Sequence, residues 1–340
     1  MKFLWICDPT IYTQASQDVP TLYRHLSRDP RIEFFHAPIR SVVPGDRADV
    51  IPVPHDLTHA GFLTLDEHAT QNHRLSDFDL VFCRRLKPFP AGYLDILSEW
   101  ETYTKFVNSP TQKKDQMTPD FLYRVARDYL PDTLVTADLG SAQDFFVQHQ
   151  TIVAKTANSC GGRGVFKIWF ESDQFQVDNS LMGLQTFSTF AAVMTYLLSH
   201  TDEPLQFVRY LSQVTAGDKR IVVVDGEIYG AYIRRSRSGY WVNNVSFDGD
   251  CILSEVTPAE QQAIAGTVEQ YRSRGLHTLG YDFLLDHDGV WRISEINAGN
   301  IGGFARLEQL TGEAIADRFL NWLINFASIR DRPQQLARIM

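Results

Sequence analysis

The sequence has few cysteines and no apolar run long enough to cross a membrane. Its four cysteines are widely separated and form no Cys-x-x-Cys pair, so neither a disulfide framework nor a thiolate zinc site is indicated. The apolar stretch at residues 3–7 is shorter than the hydrophobic region of a signal peptide, and no other stretch approaches the length of a membrane span. We therefore expect a cytoplasmic protein that does not contact a membrane.

Basic residues are also too few for a nucleic-acid-binding protein. The 32 Lys and Arg residues face 41 Asp and Glu residues, and the formal net charge is -9. This balance favours solubility and disfavours attraction to a polyanion. The apolar and charged fractions, 44% and 21%, are those of an ordinary globular chain. At 340 residues, the chain is long enough for two or three sub-domains.

The first third of the chain has the alternating strands and helices of an α/β fold. Residues 3–7 predict a buried strand, residues 20–26 a helix and residues 31–36 a second strand. The stretch 41–76 is rich in Pro, His and Asp and weakly periodic, so it predicts a long surface excursion. A third strand at 79–83, a helix at 93–105 and a strand at 106–108 complete a first domain, residues 1–110.

Two further domains are expected. Residues 111–204 predict a small central unit, with a helix at 119–129, strands at 133–136 and 151–155, and an irregular segment at 171–186. Residues 205–330 predict a third unit that contains two strong hairpins and a C-terminal helix at 314–327.

Both predicted hairpins carry Asp-Gly, the pair typical of the two central positions of a type I′ turn. The first turn, Asp225-Gly226, is a structural signal only. For the second hairpin, we count back along both strands from a two-residue turn at Asp288-Gly289. The count places Leu284 opposite Ile293.

The same count places Asp282 directly opposite Glu295, in strands that are otherwise apolar. Carboxylates in such positions lie about 5 Å apart at Cβ and destabilise the strand pair unless a positive charge lies between them. Asn297 falls on the same face as Glu295 because side chains alternate along a strand. Two carboxylates and an amide oxygen suit magnesium, which predicts a metal site. The alternative is a solvated strand pair whose acids face water.

A second group of candidate residues combines a lysine with a glycine-rich loop. Lys155 ends a predicted strand, and Gly161, Gly162 and Gly164 follow it closely. Such a loop leaves backbone N–H groups free to wrap an anionic phosphate, and the lysine adds a positive charge beside them. The order excludes a Walker A loop, in which the lysine follows the glycines. Taken alone, the pattern is also that of a plain turn at a hairpin tip.

These features occur together with further motifs, in a specific order, along about residues 1–312. The motifs are Asp8-Pro9, Asp79-Leu80-Val81-Phe82-Cys83-Arg84-Arg85, Val107-Asn108-Ser109-Pro110, Pro131-Asp132-Thr133-Leu134-Val135-Thr136, Gly217-Asp218-Lys219-Arg220 and Ser294-Glu295-Ile296-Asn297. As a set they resemble the ATP-grasp superfamily and, within it, the bacterial glutathione synthetase family. The resemblance implies an α/β (α+β) ATP-grasp fold with an N-terminal Rossmann-like domain, a small central lid and a C-terminal catalytic domain.

The resemblance also implies a function. It is that of an ATP-dependent carboxylate-amine ligase that uses magnesium, with manganese as an alternative. In the family reaction, a carboxylate attacks the γ-phosphate of ATP, and an amine then displaces phosphate from the acyl phosphate. The implied small-molecule partners are γ-glutamylcysteine as the carboxylate and glycine as the amine, in a homo-oligomeric enzyme.

Positions that match the family motifs imply roles for individual residues. The phosphates of ATP are assigned to Lys155 with Gly161, Gly162 and Gly164, and the adenine to the backbone of Arg209, Tyr210 and Leu211. Asp218 is assigned to the vicinity of the nucleotide, and magnesium to Asp282, Glu295 and Asn297. Catalytic roles are assigned to Lys155, Arg220 and Arg234, where the two arginines face the acyl phosphate or the substrate carboxylates.

The chain departs from the family at four places, one of which is the arginine-rich segment 234–239, whose alternative interpretation is a solvated hairpin tip. A second nucleotide-binding lysine of the family, on the first helix of the central unit, aligns with about Pro119, which leaves Lys113 or Lys114 as candidates. Val208 stands where the family has a Gln near the adenine, so base recognition is left to backbone groups. Residues 298–303 replace a small-hydroxyl segment that shapes the substrate site in the family.

Three alternatives stay open beside the leading interpretation. These alternatives are a ligase for a different peptide or amino-acid pair, a kinase on the same fold, and a nucleotide-binding regulator without catalysis. Only the missing lysine supports the regulator. The retained Lys155, Asp282, Glu295 and Asn297 argue against it, because two apposed acids serve no purpose in a protein without catalysis.

Overall fold

The structure, a computed structural model, contains three β-sheets with helices packed around them. It describes residues 1–159, 161–236, 240–242 and 250–329. Cys160, inside the predicted glycine-rich loop, and residue 330, the end of the predicted third domain, lie outside the described residues. Within the described ranges, no helix has both the length and the apolar character needed to cross a membrane.

The first sheet has the strand order β4-β3-β2-β1-β5-β6. Its strands are β1 (Lys2–Cys7), β2 (Glu33–Pro38), β3 (Arg47–Pro52), β4 (Gln71–Arg74), β5 (Leu80–Cys83) and β6 (Phe106–Val107). The helices along this part of the chain are α1 (Asp18–Arg28), α2 (His59–Leu63) and α3 (Tyr93–Trp100). β1 pairs in parallel with both β2 and β5, so the carboxyl ends of β1 and β5 form a topological switch point. Open α/β sheets usually bind ligands at such a point.

The strands predicted at 3–7, 31–36 and 79–83 are confirmed, but the surface excursion predicted at 41–76 is wrong in part. That segment contains α2, β3 and β4, and β3 and β4 extend the sheet in antiparallel fashion. Ala48 and Val50 of β3 are buried, whereas Arg47 and Asp49 are exposed. This alternation spans only a few residues, and the surrounding prolines and histidines obscure it in the sequence.

The second sheet is antiparallel throughout and has the order β11-β10-β9-β8-β12-β7. Its strands are β7 (Thr133–Thr136), β8 (Ile152–Lys155), β9 (Val165–Glu171), β10 (Gln174–Asn179), β11 (Gly183–Phe187) and β12 (Leu205–Arg209). The helices along this part of the chain are α4 (Pro110–Gln116), α5 (Phe121–Ala126), α6 (Leu139–His149) and α7 (Phe190–Leu198).

The segment 171–186 was expected to be irregular, and this prediction is wrong. It forms a tight turn followed by β10 and β11, with positive φ angles of 52° at Ser172 and 59° at Asp173. β11 is an edge strand that is exposed along nearly its whole length. It therefore lacks the alternation of buried and exposed residues by which a strand is recognised in a sequence.

The predicted border between the second and third domains falls just before β12. This strand begins at Leu205, the first residue of the predicted third domain, yet it pairs with β7 and β8 of the second sheet. The second sheet thus draws on both sides of residue 204, and the division into three domains stays a prediction.

The third sheet has the order β15-β14-β13-β16-β17 and is antiparallel throughout. Its strands are β13 (Asp218–Val224), β14 (Glu227–Arg235), β15 (Asp250–Ser254), β16 (Thr278–Leu285) and β17 (Trp291–Ala298). Three helices belong to this part of the chain: α8 (Pro258–Arg272), α9 (Phe304–Thr311) and α10 (Ile315–Ser328). The predicted C-terminal helix corresponds to α10.

The first and third sheets share a hydrophobic core. Trp5 of β1 is fully buried in the same cluster as Phe304 and Phe319, whose rings stack with centroids 4.2 Å apart. Asp18, at the start of α1, accepts hydrogen bonds of 2.8 Å from the backbone N–H groups of Gly303 and Ala305. These contacts hold the first sheet against the segment that follows β17, next to the predicted metal ligands.

Candidate active site

A cleft between the second and third sheets collects most of the residues that the sequence predicts. Those that line it are Lys155, Gly161, Gly162, Gly164, Arg209, Tyr210, Leu211, Asp218, Asp282 and Glu295. Arg220, Arg234 and Asn297 are not among the described lining residues, but each donates a hydrogen bond to Asp282. The structure therefore brings the predicted residues to one place, and their roles stay predictions.

The first of the two predicted hairpin turns is confirmed. Asp225 and Gly226 have φ angles of 52° and 89°, and Val224 pairs with Glu227 across the turn. Two central residues with positive φ define the type I′ turn that Asp-Gly predicts.

The second hairpin has a longer loop than predicted. The N–H of Asp286 donates to the carbonyl of Val290, so three residues, 287–289, form the loop instead of two. Gly289 takes the left-handed position with φ of 78°, as in the common three-residue hairpin loop. The Asp288 carboxylate accepts the N–H of Val290 at 2.9 Å and stabilises this longer loop.

The longer loop shifts the strand register by one residue, and a bulge shifts it back. Leu284 therefore faces Arg292 and not Ile293 as predicted. Between Asp282 and Phe283 the register shifts again, because Ser294 is an extra residue on β17. The predicted pairing of Asp282 with Glu295 is confirmed. It results from two register shifts that cancel each other, neither of which was part of the prediction.

Asp282 is buried and surrounded by donors. Arg220, its cross-strand neighbour on β13, donates hydrogen bonds of 2.5 and 2.8 Å to its two oxygens. Arg234 donates another at 2.9 Å, and the side-chain amide of Asn297 donates one at 3.0 Å. Burial opposes ionisation, but the two arginines outweigh it and lower the pKa of Asp282. The positive charge expected beside this acid is supplied, in this structure, by arginine.

Asp218 has one carboxylate oxygen without a partner. Arg234 donates to Oδ2 at 2.5 Å, whereas Oδ1 is buried and has no hydrogen-bond partner among the described residues. Burial raises the pKa of Asp218 to about 6, with Arg234 opposing the shift and Asp282 adding to it. A buried polar atom without a partner is rare and costly in native proteins, and in the wall of a cleft it indicates a ligand.

Lys155 and Glu295 lie near each other in the cleft. The Lys155 ammonium donates to the carbonyl of Ser294, the bulged residue, at 2.9 Å. Burial lowers the pKa of Lys155, and the negative charges of Glu295, Asp218 and Asp282 oppose this shift. Within the described part of the chain, the Glu295 side chain makes no hydrogen bond or ion pair.

The oxygen atoms at this end of the cleft fit magnesium. Glu295 offers an unpaired carboxylate, and Asn297 retains its Oδ1 because its Nδ2 donates to Asp282. Hard oxygen atoms of this kind are the ligands of Mg²⁺. Of the three predicted ligands, Asp282 alone has both oxygens bonded to arginine. In the described ranges, no group of three or more His, Cys, Asp or Glu residues could hold a metal, so phosphate oxygens and water would have to complete the shell.

The glycines of the predicted phosphate loop are required for different reasons. Gly161 and Gly162 have φ angles of 65° and 79°, which favour glycine. A Cβ at Gly162 would lie 2.8 Å from the Val242 side chain, and one at Gly164 would lie 2.0 Å from Oγ1 of Thr156. A side chain at 161, by contrast, would meet no described atom within 4 Å.

Asn179, which the sequence analysis did not identify, fixes this loop from within the sheet. It is 1% exposed, and its Nδ2 donates to the carbonyls of Arg163 and Val165, both at 2.9 Å. The carbonyl of Gly164 accepts the N–H of Thr156 at 2.9 Å.

The amides of the three loop glycines, in contrast, are left for a ligand, because among the described residues they donate to none. Free backbone N–H groups in such a loop form an anion-binding concavity.

Two valines of the cleft lining, Val153 and Val208, pair across β8 and β12, next to the backbone predicted to follow the adenine. The N–H of Tyr210 donates to the carbonyl of Thr151 at 3.1 Å. The N–H of Leu211 has no acceptor, and the carbonyl of Tyr210 no donor, among the residues that the structure describes. One donor and one acceptor are thus available beside the two valines.

Neither lysine considered as a replacement for the missing family lysine lines the cleft in the described part of the chain. Lys114 forms an ion pair with Asp95. Lys113 is buried, donates to the carbonyl of Ala298 at 2.5 Å and also donates to Gln116. Lys113 therefore holds the end of β17.

Several residues that line the cleft were not predicted from the sequence, among them Lys87, Gln116 and Trp241. Gln116 donates from Nε2 to the carbonyl of Ile296 at 3.1 Å, and thus supports the strand that carries Glu295. Lys87 comes shortly after Arg84-Arg85, the end of a motif that was recognised. A lysine just beyond the carboxyl end of a parallel strand was a readable signal for it.

The comparison with protein families finds one match, which covers more than half of the chain. The family is described as prokaryotic glutathione synthetase, ATP-grasp domain, and residues 121–312 match it. The matched range contains Lys155, the glycine loop, Asp218, Asp282, Glu295 and Asn297.

Individual proteins agree with this match. The glutathione synthetase of Brucella melitensis biotype 1 is 29% identical over 248 residues, which cover 72% of this chain and 73% of that protein. That of Prochlorococcus marinus (strain MIT 9313) is 25% identical over 329 residues, which cover 95% and 99%. Among solved structures, D-cycloserine synthetase DcsG has a similar fold, with a TM-score of 0.63 at 14% identity over 96% of this chain and 100% of that one.

Proposed function

The chain belongs to the prokaryotic glutathione synthetase family of ATP-grasp proteins and is an ATP-dependent carboxylate-amine ligase, and we propose that it joins γ-glutamylcysteine to glycine with magnesium as the metal. One observation carries the proposal. Lys155, the free amides of the glycine loop and the unpaired oxygens of Asp218 and Glu295 all belong to a single cleft. A nucleotide with its metal needs cations, amides and acidic oxygens together.

The reaction consists of two displacements. An oxygen of the substrate carboxylate bonds to the terminal phosphorus of ATP, and the bond to the bridging oxygen breaks and releases ADP. The amine nitrogen then bonds to the acyl carbon, phosphate leaves with the electron pair of the C–O bond, and the nitrogen loses a proton. The protein contributes positioning and charge compensation.

For the nucleotide, we propose that the adenine packs against Val153 and Val208, which pair across β8 and β12 on one face of the second sheet. Its edge would accept from the N–H of Leu211 and donate to the carbonyl of Tyr210. The phosphates would extend toward the glycine loop, whose amides donate to them, and toward Lys155. This orientation follows from the unpaired backbone groups of Tyr210 and Leu211 beside the two valines, and from the cation and free amides at Lys155 and the glycine loop.

Glu295 and Asn297 are the residues we assign as direct magnesium ligands, because no described residue occupies their oxygens. Asp282 is kept as a third ligand, whose oxygens would be shared with Arg220 and Arg234. The metal, when bound, neutralises charge on the phosphate oxygens. Manganese takes the same kind of ligands.

We propose that Arg234 and Arg220 form the part of the site that receives the substrate carboxylate. The Nε of Arg234 is buried and has no hydrogen-bond partner among the described residues, so one donor remains available beside Asp218 and Asp282. Arg220 uses a further N–H on the carbonyl of Gly302 at 3.2 Å. Arg234 would therefore contact the substrate, and Arg220 would hold Asp282 and the following loop in place.

A second candidate function, ligation of a different carboxylate and amine, is supported by residues 298–303. This segment has no hydroxyl side chain, and its one polar side chain, Asn300, donates to the carbonyl of Arg84 at 2.5 Å and to the hydroxyl of Tyr12 at 2.9 Å. Its side chains are thus engaged with the first sheet.

We also propose that the enzyme acts on small molecules in the cytoplasm as a homo-oligomer. The net charge of -9 disfavours nucleic acid as a partner. Light scattering of the purified protein measures the subunit number, and a monomer at all concentrations would contradict the proposed assembly.

The decisive experiment is phosphate release from ATP with a panel of carboxylates and amines, followed by mass spectrometry of the products. We expect release that requires both γ-glutamylcysteine and glycine, and a product with the mass of glutathione. Another productive pair, with none from γ-glutamylcysteine, would establish the second candidate. Phosphoryl transfer to the carboxylate without any need for an amine would indicate a kinase.

A further inference from the structure

Lys87 is a cation of the cleft with no role assigned so far. The cationic side chains among the described lining residues are Lys87, Lys155 and Arg209. Arg209 is held by Asp286 through two hydrogen bonds of 3.1 and 2.7 Å. The lining thus carries a second lysine, Lys87, in addition to Lys155.

Lys87 reaches the cleft because the loop after β5 is joined to the glycine loop. Asn158 donates from Nδ2 to the carbonyl of Phe89 and accepts the N–H of Phe89 on Oδ1, both at 3.2 Å. The ring of Phe89 stacks on Tyr93 of α3, with centroids 5.8 Å apart and planes 7° from parallel. A loop of the first sheet is thus fixed against the loop predicted to bind phosphate.

Lys87 lies close enough to Lys113 for the two positive charges to repel each other. Burial lowers the pKa of Lys113, the positive charge of Lys87 lowers it further, and Glu295 opposes both. Lys113 itself donates to the carbonyl of Ala298, at the end of β17. Lys87 is therefore close to the end of the strand that carries Glu295 and Asn297.

We propose that Lys87 binds the terminal phosphoryl group of the nucleotide, on the side from which the substrate carboxylate arrives. The proposal rests on the ligase function proposed above. Lys87 follows β5, whose carboxyl end lies at the switch point of the first sheet, where a ligand of that sheet is expected. A lysine at the border of both sites can compensate the charge that develops on the phosphoryl oxygens during transfer.

The test compares two nucleotides that differ in the terminal group. Calorimetry measures the binding of magnesium-ADP and of the magnesium complex of the β,γ-imido analogue of ATP. In Lys87→Met, we expect the analogue to bind about tenfold more weakly or worse, and ADP to change by no more than about threefold. Lys87→Arg should recover part of the loss, since it restores the charge. Lys114→Ala, which removes a lysine outside the cleft, is the matched control.

Equal weakening of both nucleotides in Lys87→Met, or no weakening of either, would overturn the proposal. Lys87→Gln is measured beside it, so that a folding defect in one variant leaves the comparison intact. Lys155→Ala separates this inference from the function on which it rests. If Lys155→Ala loses affinity while Lys87→Met and Lys87→Gln do not, only the inference is wrong. If the unaltered protein binds neither nucleotide, the proposed function is wrong as well.

Discussion

Arg220 and Asp282 face each other across β13 and β16, and their side chains are joined by hydrogen bonds of 2.5 and 2.8 Å. Both residues are buried. Removing one partner of a buried ion pair leaves the other charge uncompensated, which costs about 3 to 5 kcal/mol. Asp282 therefore has a structural function in addition to its proposed role at the metal, whereas Glu295 makes no ion pair with a described residue.

The two acids should consequently respond differently to loss of charge. We expect Glu295→Gln to abolish phosphate release and to change the free energy of unfolding by no more than about 1 kcal/mol, because Glu295 makes no hydrogen bond or ion pair with a described residue and only its charge supports the nearby Lys155 ammonium. Asp282→Asn should abolish activity and also lower the free energy of unfolding by about 3 kcal/mol. Urea titration and a magnesium series measure both effects. Near-normal turnover of Glu295→Gln at saturating magnesium would contradict the metal assignment.

Lys155 should contribute to both nucleotide binding and turnover. Its ammonium lies beside Glu295 and Asp218 in the cleft, so Lys155→Ala removes a preorganised charge. We expect a total loss of about 2 to 4 kcal/mol in kcat/KM for ATP. Steady-state kinetics measure it, with Lys114→Ala as the control for loss of a lysine elsewhere. Unchanged kinetics would mean that the glycine-rich segment is only a turn.

The glycine loop is expected to close over the nucleotide and exclude water from the acyl phosphate. Gly164→Ala introduces a clash with Thr156 and Ser159, so it should slow ligation and raise the ratio of ATP hydrolysed to product formed. Gly183→Ala is the matched control, because it lies outside the loop, its Cβ meets no described atom within 4 Å and the strain of its φ is only about 1 to 2 kcal/mol.

Amide exchange offers a direct test of closure. Protection of residues 161–164 should rise on addition of magnesium-ATP and substrate, because ordering a glycine-rich segment is entropically costly without a ligand. Equal protection with and without ligands would show that the loop is preformed.

Asp286 should stabilise the protein in a pH-dependent way. Its side chain is fully buried. Burial opposes ionisation, but hydrogen bonds from Arg209, His287 and Arg292 outweigh it and lower the pKa of Asp286 below its usual value of 3.8. Its stabilising contribution is therefore present above about pH 4 and is lost as the pH falls through the lowered pKa of the folded state.

We expect Asp286→Asn to lower the free energy of unfolding by about 2 to 4 kcal/mol at neutral pH. The difference from the unaltered protein should stay constant down to about pH 5 and shrink below about pH 4. Urea unfolding across this pH range measures it. A difference that grows toward acid pH would contradict the assigned direction of the pKa shift.

The elements predicted correctly are those whose signals are local. The alternating strands of the first domain, the turn at Asp225-Gly226 and the order of the motifs depend on residues that are neighbours in the chain. The helix α8 was missed although its start was readable, since Thr257 and Glu260 form a capping box and Pro258 occupies the first turn. β11 offered no such signal, because an exposed edge strand has no buried face.

The sequence by itself determined the family, the pair of acids and the lysine with its glycine loop, because these are fixed by residue identity and spacing. Only the tertiary structure decided what surrounds them. The bulge at Ser294 restores the pairing of Asp282 with Glu295. Arg220 donates hydrogen bonds to both oxygens of Asp282, and Asn158 holds the loop that carries Lys87 at the cleft. These contacts join positions that are far apart in the chain. The pattern of apolar and polar residues along the chain does not predict these contacts. They form when the three sheets pack together, because buried polar groups then need hydrogen-bond partners.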